Sequence, residues 1–294
     1  MKNVKQITHD MYEENLFFVP TMGSLHRGHF SLIEQAKKSG LKTIVSIFVN
    51  PKQFNDTNDY QKYPRDIQKD SINLEKLNVD YLFTPDENYI YGDSFLDLLS
   101  SGHIGEQYEG KSRPGHFDGV LTVVNRLFEL IKPKKVIFGK KDAQQLFLIK
   151  DYIGRTNKDI DLLEGEIVRD KLGLALSSRN LLLSAKGKKT AIFWTRNPKL
   201  VNPMKAKGKK TASGLKKQLD TLKEIFLETG LVSTSIERTL QRNKDGLLEI
   251  DYLEILDKDT FSAISDNTKN FIIIIAGYVE GIRLIDNIDF RIEG

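Results

Sequence analysis

Two imidazoles stand three residues apart in the run Met22, Gly23, Ser24, Leu25, His26, Arg27, Gly28, His29. The run follows a strand-like apolar stretch, Leu16 to Thr21, and leads at once into an apolar-periodic segment from Phe30 to Lys38. Glycine lets the backbone turn sharply at such a corner. The new helix then directs unpaired N–H groups and the positive end of its dipole at an incoming anion. Two imidazoles at that corner can reach the same phosphate oxygens, a layout suited to chemistry on a triphosphate. The plainer alternative is a pair of histidines that only cap the helix.

Other groups could serve the same chemistry. Gly139-Lys140-Lys141-Asp142 follows another strand-like run; its glycine permits close backbone approach, and a lysine at a helix start acts as a point charge on phosphate. Leu176, Ser177, Ser178 and Arg179 offer hydroxyls, backbone donors and a guanidinium able to bind two oxygens at once, or else an ordinary helix cap. Gln53 and Gln145 are neutral amides that both donate and accept. Asn50 precedes Pro51 at a strand end, where it either orients a ligand or closes a turn. Asp142 and Asp170 are carboxylates of the kind that touch magnesium, although that ion binds mostly through nucleotide phosphates and water.

Taken in order, these blocks resemble the pantothenate synthetases, ATP-dependent pantoate and β-alanine ligases of the nucleotidyltransferase-like superfamily with a His-x-Gly-His corner. The resemblance rests on Pro20 to His29, Val45 to Phe54, Tyr63-Pro64-Arg65, Arg113 to Phe117, Phe138 to Gln145, Gly173 to Asn180 and Arg283 to Asn287, and so covers nearly the whole chain. It implies that His29, as proton donor, with His26 and Lys141, carries the catalysis. It assigns the nucleotide to Met22, Gly23, Ser24, Leu25, His26, Arg27, Gly28 and His29, to Gly139, Lys140, Lys141 and Asp142, and to Val168, Leu176, Ser177, Ser178 and Arg179. Pantoate falls to Gln53 and Gln145, with Gln53 also meeting β-alanine. The implied reaction is adenylation of pantoate by ATP, with Mg2+ arriving on the nucleotide, then displacement of AMP by β-alanine. Where this chain has Lys140 the family usually has Glu, a departure that adds positive charge near the site. His116 and Tyr63 read equally well as functional groups and as supports of the pocket wall.

Elements must position these groups. Apolar runs at 16–21, 43–50, 81–83, 136–138 and 160–168 alternate with helical patterns at 30–38, 66–77, 117–131 and 144–152. This alternation predicts a Rossmann-like α/β domain over 1–167, with a parallel sheet whose strands' carboxyl ends open on one crevice. Past residue 168, helical stretches at 212–229 and 232–241 and strands at 250–256, 271–279 and 282–285 predict a smaller α+β domain over 168–294. The resemblance makes this second domain a lid and the protein a homodimer through the first.

The chain has 294 residues, 39% hydrophobic and 29% charged, and no apolar run of bilayer length, the composition of a soluble globular protein. Its start lacks the pattern of a secretory signal, which favours a cytoplasmic address. With no cysteine there is no disulfide, thiolate nucleophile or Cys-based zinc site, and five histidines leave little for a protein-only metal cage. A net charge of +4 is too small to argue for nucleic acid. The stretch 186–217 nevertheless holds eleven Lys or Arg, and the heptad Ala-Lys-Gly-Lys-Lys-Thr-Ala at 185–191 recurs at 206–212. Residues near 191–211 read as an insertion with a duplicated flank, in the first instance a tolerated surface loop. Two other functions compete with the ligase: a related nucleotidyltransferase acting on another acceptor, and a non-catalytic binder whose lid the insertion has disabled.

Overall fold

A computed structural model describes residues 1–92, 98–156, 158–171, 173–184, 215–242 and 249–293. The chain divides into two compact units, Met1–Ile167 and Val168–Gly294. In the first unit β1 (Lys2–Val4), α1 (His9–Tyr12), β2 (Leu16–Thr21), α2 (Arg27–Lys37) and β3 (Lys42–Ile47) come first. A 3-10 turn (Pro51–Gln53), α3 (Thr57–Lys62), α4 (Ile67–Lys76), β4 (Tyr81–Phe83) and α5 (Glu87–Tyr91) follow. After them come α6 (Gly102–Gly105), α7 (Glu109–Ser112), α8 (His116–Ile131), β5 (Lys135–Gly139), α9 (Ala143–Arg155) and β6 (Asp161–Gly165).

The six strands lie in the order β1-β4-β3-β2-β5-β6, and every pair is parallel. Successive residues of a strand face opposite sides, so β2 serves two cores. Phe17 and Val19 join a cluster with Leu32, Ile33 and Ala36 of α2 and Leu74 of α4; Leu16 and Phe18 join another with apolar residues of α8 and α9. All four strand residues are fully buried, which is why β2 reads as an unbroken apolar run. The strand order reverses at β2, which has β3 on one side and β5 on the other. The loops after β2 and β5 therefore face each other across the crevice where open α/β sheets bind ligands. They are the loops that carry His26, His29 and Lys141.

Some boundaries differ from the sequence reading. Strand β3 stops at Ile47 rather than Asn50, because Pro51 has no N–H for a ladder and opens the 3-10 turn. Strand β6 ends at Gly165 rather than near Val168. Helix α2 begins at Arg27, before its first apolar residue, because His26 caps it. Strand β1 was not expected: Lys2, Asn3 and Val4 are too short and polar to read as a strand, and they pair with Tyr81, Leu82 and Phe83 at the sheet edge.

The second unit holds a 3-10 turn (Ser178–Leu182), α10 (Leu215–Thr229), α11 (Val232–Arg242), β7 (Glu249–Asp257), β8 (Ser262–Ala263), β9 (Asn270–Val279) and β10 (Ile282–Arg291). The sheet is antiparallel in the order β10-β9-β7-β8, and Leu219, Leu222 and Phe226 of α10 pack with Leu253, Ile273 and Ile275 in its core. Strand β10 runs six residues past Ile285, since it pairs with β9 as far as Arg291↔Asn270. The proposed insertion near 191–211 lies outside the described residues. Among the described residues no helix is long and apolar enough to cross a membrane.

A bidentate ion pair organises the segment before Ser177. Arg169 donates from Nη1 and Nη2 to the two oxygens of Asp286, at 2.6 and 2.7 Å, and also to the carbonyl of Gly173 at 3.0 Å. Asp286 is 3% exposed, and its charge is met by this fork together with the Asn287 N–H, which donates to Oδ1 at 2.8 Å. Breaking one side of such a pair costs far more than the pair contributes net. We predict that Asp286→Ala lowers stability by about 3 kcal/mol, measured by urea unfolding followed by circular dichroism; an unchanged midpoint would contradict this assignment.

Candidate active site

The turn between β2 and α2 spends most of its backbone donors on nearby side chains. Gly23 (φ +82°) and Ser24 (φ +53°) are both left-handed, which glycine tolerates and serine adopts only when held. The hold comes from Asp70 of α4: Oδ2 accepts from the Ser24 N–H at 2.7 Å and Oδ1 from the Leu25 N–H at 2.9 Å. Burial pushes the Asp70 carboxyl up, opposed by these N–H bonds. The Leu25 side chain is buried in the core cluster beneath α2.

The two histidines cap the helix reciprocally. Nδ1 of His26 accepts from the Gly28 N–H at 3.1 Å, and Nδ1 of His29 accepts from the His26 N–H at 3.2 Å. An imidazole that accepts at Nδ1 carries its proton at Nε2. Capping therefore does not compete with a role on phosphate; it selects the tautomer whose Nε2–H points away from the backbone. The rings lie 4.0 Å apart between centroids. Burial, with the Lys141 charge second, brings the His26 pKa down to about 4; burial, with His26 second, brings His29 down to about 3. At neutral pH both rings are uncharged hydrogen-bond donors.

Across the crevice, Lys141 Nζ lies 3.1 Å from Asp142 Oδ1 at the start of α9. Burial would raise the Asp142 pKa, but Lys141, by charge and hydrogen bond, together with His29 and His116, holds it below the ordinary carboxylate value. Lys140 forms an ion pair with Glu166, so the extra positive charge expected from it meets a carboxylate on the neighbouring loop. The adjacent glutamines of α9 have different fates. Gln144 is buried and tied to the Glu109 N–H and to the carbonyls of Ile104 and Gln107, whereas Gln145 is half-buried and its amide has no protein partner among the described residues.

Gln53 is held from several sides. Its Oε1 accepts from Asn50 Nδ2 at 3.2 Å, and its Nε2 sits 2.9 Å from Met22 Sδ. Asn50, 1% exposed, also donates to the Gly119 carbonyl and accepts from Tyr91 Oη, so its amide closes the turn and orients Gln53. His116 Nδ1 donates to the Gln53 carbonyl at 2.8 Å, leaving Nε2 to accept from Arg113. His116 is thus a backbone support. Tyr63 packs its ring against Phe54, a wall contact. In the second unit Ser177 Oγ accepts from the Arg179 N–H, so Ser177 does cap a short turn, and Asp170 Oδ1 accepts from the Leu174 N–H.

A family profile described as pantoate-beta-alanine ligase matches residues 1–289. The chain belongs to that family. A pantothenate synthetase of Caldicellulosiruptor bescii is 40% identical over 98% of this chain and 96% of its own length. One of Caldicellulosiruptor saccharolyticus is 42% identical over 92% and 90%. Among solved structures, the pantothenate synthetase of Thermus thermophilus superposes with a TM-score of 0.84 at 34% identity, covering 98% of this chain and 99% of that one. The Francisella tularensis pantoate-beta-alanine ligase, complexed with beta-gamma ATP and beta-alanine, gives 0.74 at 33%, covering 98% and 97%.

Within the first unit of this ligase, the loops after β2 and β5 carry His26, His29, Lys141 and Asp142, and the turn after β3 carries Gln53 beside Met22. Two residues that hold these groups escaped the sequence reading: Asp70 and Gly119. Asp70 had a faint signal, as an acid on the inward face of a helical pattern. The electrostatics give a pH prediction. A histidine whose folded pKa lies below its unfolded value binds fewer protons when folded, so stability falls as pH drops from about 6.5 toward 4 and 3. We expect 15N shifts at pH 6 to report neutral Nε2–H rings for His26 and His29, and His29→Asn to flatten the acid slope of stability. Imidazolium shifts at pH 6 would contradict this electrostatic picture.

Proposed function

We infer that the protein is an ATP-dependent, AMP-forming acid–amine ligase that condenses pantoate with β-alanine in pantothenate biosynthesis. In the first step a pantoate carboxylate oxygen bonds to the α-phosphorus of ATP as the bond to the β-bridging oxygen breaks and diphosphate leaves. In the second, the β-alanine amine attacks the acyl carbon, the bond to AMP breaks, and the amine loses a proton. Adenylation asks for little covalent chemistry from the protein; positioning and neutralisation of developing charge do the work.

The observation that carries the reading is the imidazole pair. Its two Nε2–H donors are fixed by helix capping and stay uncharged at neutral pH, across the crevice from the cationic Lys141. Donors already aligned before reaction lose little to reorganisation. His29 and His26 then donate hydrogen bonds to the triphosphate while Lys141 supplies charge. Leu176, Ser177, Ser178 and Arg179 of the second unit are further nucleotide donors on this reading, which makes that unit a lid. Gln145, with its amide unspent, and Gln53, with its orientation set by Asn50, hold pantoate, and Gln53 also meets β-alanine. Mg2+ would arrive with the nucleotide, held mostly by phosphate oxygens and water with Asp142 the carboxylate suited to it, and would supply charge neutralisation on the leaving diphosphate. The family resemblance supports a homodimer through the first unit, with a mass in solution twice 33.6 kDa. A cytoplasmic location suits an enzyme fed by ATP.

Purified protein supplied with Mg-ATP, pantoate and β-alanine is expected to form AMP, diphosphate and pantothenate, with product requiring all three substrates. His29→Ala should lower kcat by at least about 100-fold. A stable nucleotide conjugate in place of AMP would instead identify a nucleotidyltransferase, and ATP binding without turnover a non-catalytic binder.

Gly119 offers a separate test of the pantoate assignment. A Cβ there would lie 2.3 Å from the Lys52 carbonyl oxygen and 2.8 Å from the Gln53 N, contacts that only backbone movement relieves. Gly119→Ala should therefore raise KM for pantoate about tenfold or more, since misplacement near 1 Å costs up to about 100-fold, with KM for ATP little altered. An equal rise in both would remove the assignment of Gln53.

A further inference from the structure

Asp70 is a buried carboxylate that the chemistry above leaves without a task. It is 1% exposed, and both its oxygens are aimed at backbone: the Ser24 N–H at 2.7 Å and the Leu25 N–H at 2.9 Å. Gly23 closes on the same group, for a Cβ at that position would lie 3.2 Å from Asp70 Oδ2 and 3.0 Å from Ile47 Cγ2. Holding the turn does not by itself require an anion, since a neutral side-chain oxygen also satisfies a buried N–H. A buried carboxylate is costly unless several donors compensate it. It is also an odd choice beside a triphosphate, which it repels. The arrangement makes sense if the turn must have one conformation before ATP arrives.

The two amides held by Asp70 immediately precede the His26 cap. With Leu25 anchored in the core on one side and His26 bonded to His29 and Gly28 on the other, no freely rotating link remains between the carboxylate and the imidazoles. We propose that Asp70 is a positioning residue for the adenylation step, fixing through Ser24 and Leu25 the direction in which His26 and His29 present their Nε2–H donors to ATP. The proposal rests on the ligase reading and adds to it a residue that touches no substrate. Its effect should be confined to the nucleotide. Gln53 is oriented by Asn50, itself bonded to Gly119 and Tyr91, and Gln145 sits on α9, holds that do not pass through Asp70.

The test compares Asp70→Asn with the unaltered chain in steady-state kinetics, ATP titration and amide hydrogen exchange read by mass spectrometry. An asparagine oxygen can accept one of the two N–H groups, but its NH2 opposes the other. Faster exchange confined to the peptide over residues 22–29 is expected, with kcat/KM for ATP down about 100-fold and KM for pantoate and β-alanine kept. Native exchange in that peptide with native kcat/KM for ATP overturns the proposal, as does a uniform loss for all three substrates. If the asparagine variant does not fold, Asp70→Glu, which keeps both acceptors on a longer arm, decides in its place: an ATP-specific loss upholds the proposal and a uniform loss overturns it. Should the unaltered chain form no AMP, the ligase reading fails by itself. Exchange and ATP affinity then still judge Asp70, weaker ATP binding with a loosened turn upholding its role and unchanged binding overturning it.

Discussion

A helix that starts at a ligand crevice has backbone N–H groups with no partner inside the helix, and a buried donor left unmade costs about 1–3 kcal/mol. In this protein Asp70 takes two donors of the preceding turn, and the rings of His26 and His29 take two more at the helix start. Backbone donors satisfied in this way are not open to a phosphate. The site relies instead on the far edges of the capping rings, where Nε2–H is left over once Nδ1 has accepted. Structural capping and ligand binding are two ends of the same imidazoles, so the choice between them posed by the sequence was not a real one.

The parallel sheet turns that local device into a site. Strand order reverses at β2, so the histidine turn and the Lys141 loop open on one crevice although more than a hundred residues separate them in the chain. Burial there lowers both histidine pKa values while Lys141 keeps its partner Asp142 ionised. Neutral donors thus stand beside a paired cation. Close packing on the other face does similar work for Gln53: the absence of a side chain at Gly119 lets α8 approach the 3-10 turn, and Asn50 bridges the two.

Much of this was legible in the chain. Both faces of β2 are buried, so Leu16 to Thr21 reads as a strand with correct ends; β9, with Ile272 to Ile275 at its centre, reads as one for a similar reason. Where a boundary depended on one residue's chemistry, as at Pro51 or at the His26 cap, the periodicity overran or fell short. Strand β1 escaped notice because its strand character comes from pairing with β4 rather than from its own residues. Gln144 and Gln145 look alike in sequence. Only the helix register sends one into the protein and leaves the other half-exposed.

The sequence by itself determined the family, the alternation of strands and helices, and the residue types able to handle a triphosphate and a small acid, because these depend on local periodicity and on motif spacing. Tertiary structure decided which protons sit on which nitrogens, which of two adjacent glutamines stays unbonded, that Lys140 meets Glu166, and that Asp70 holds the turn from 46 residues away. Those outcomes follow from burial and from which donor meets which acceptor across the fold. Neither quantity exists until the chain has closed on itself.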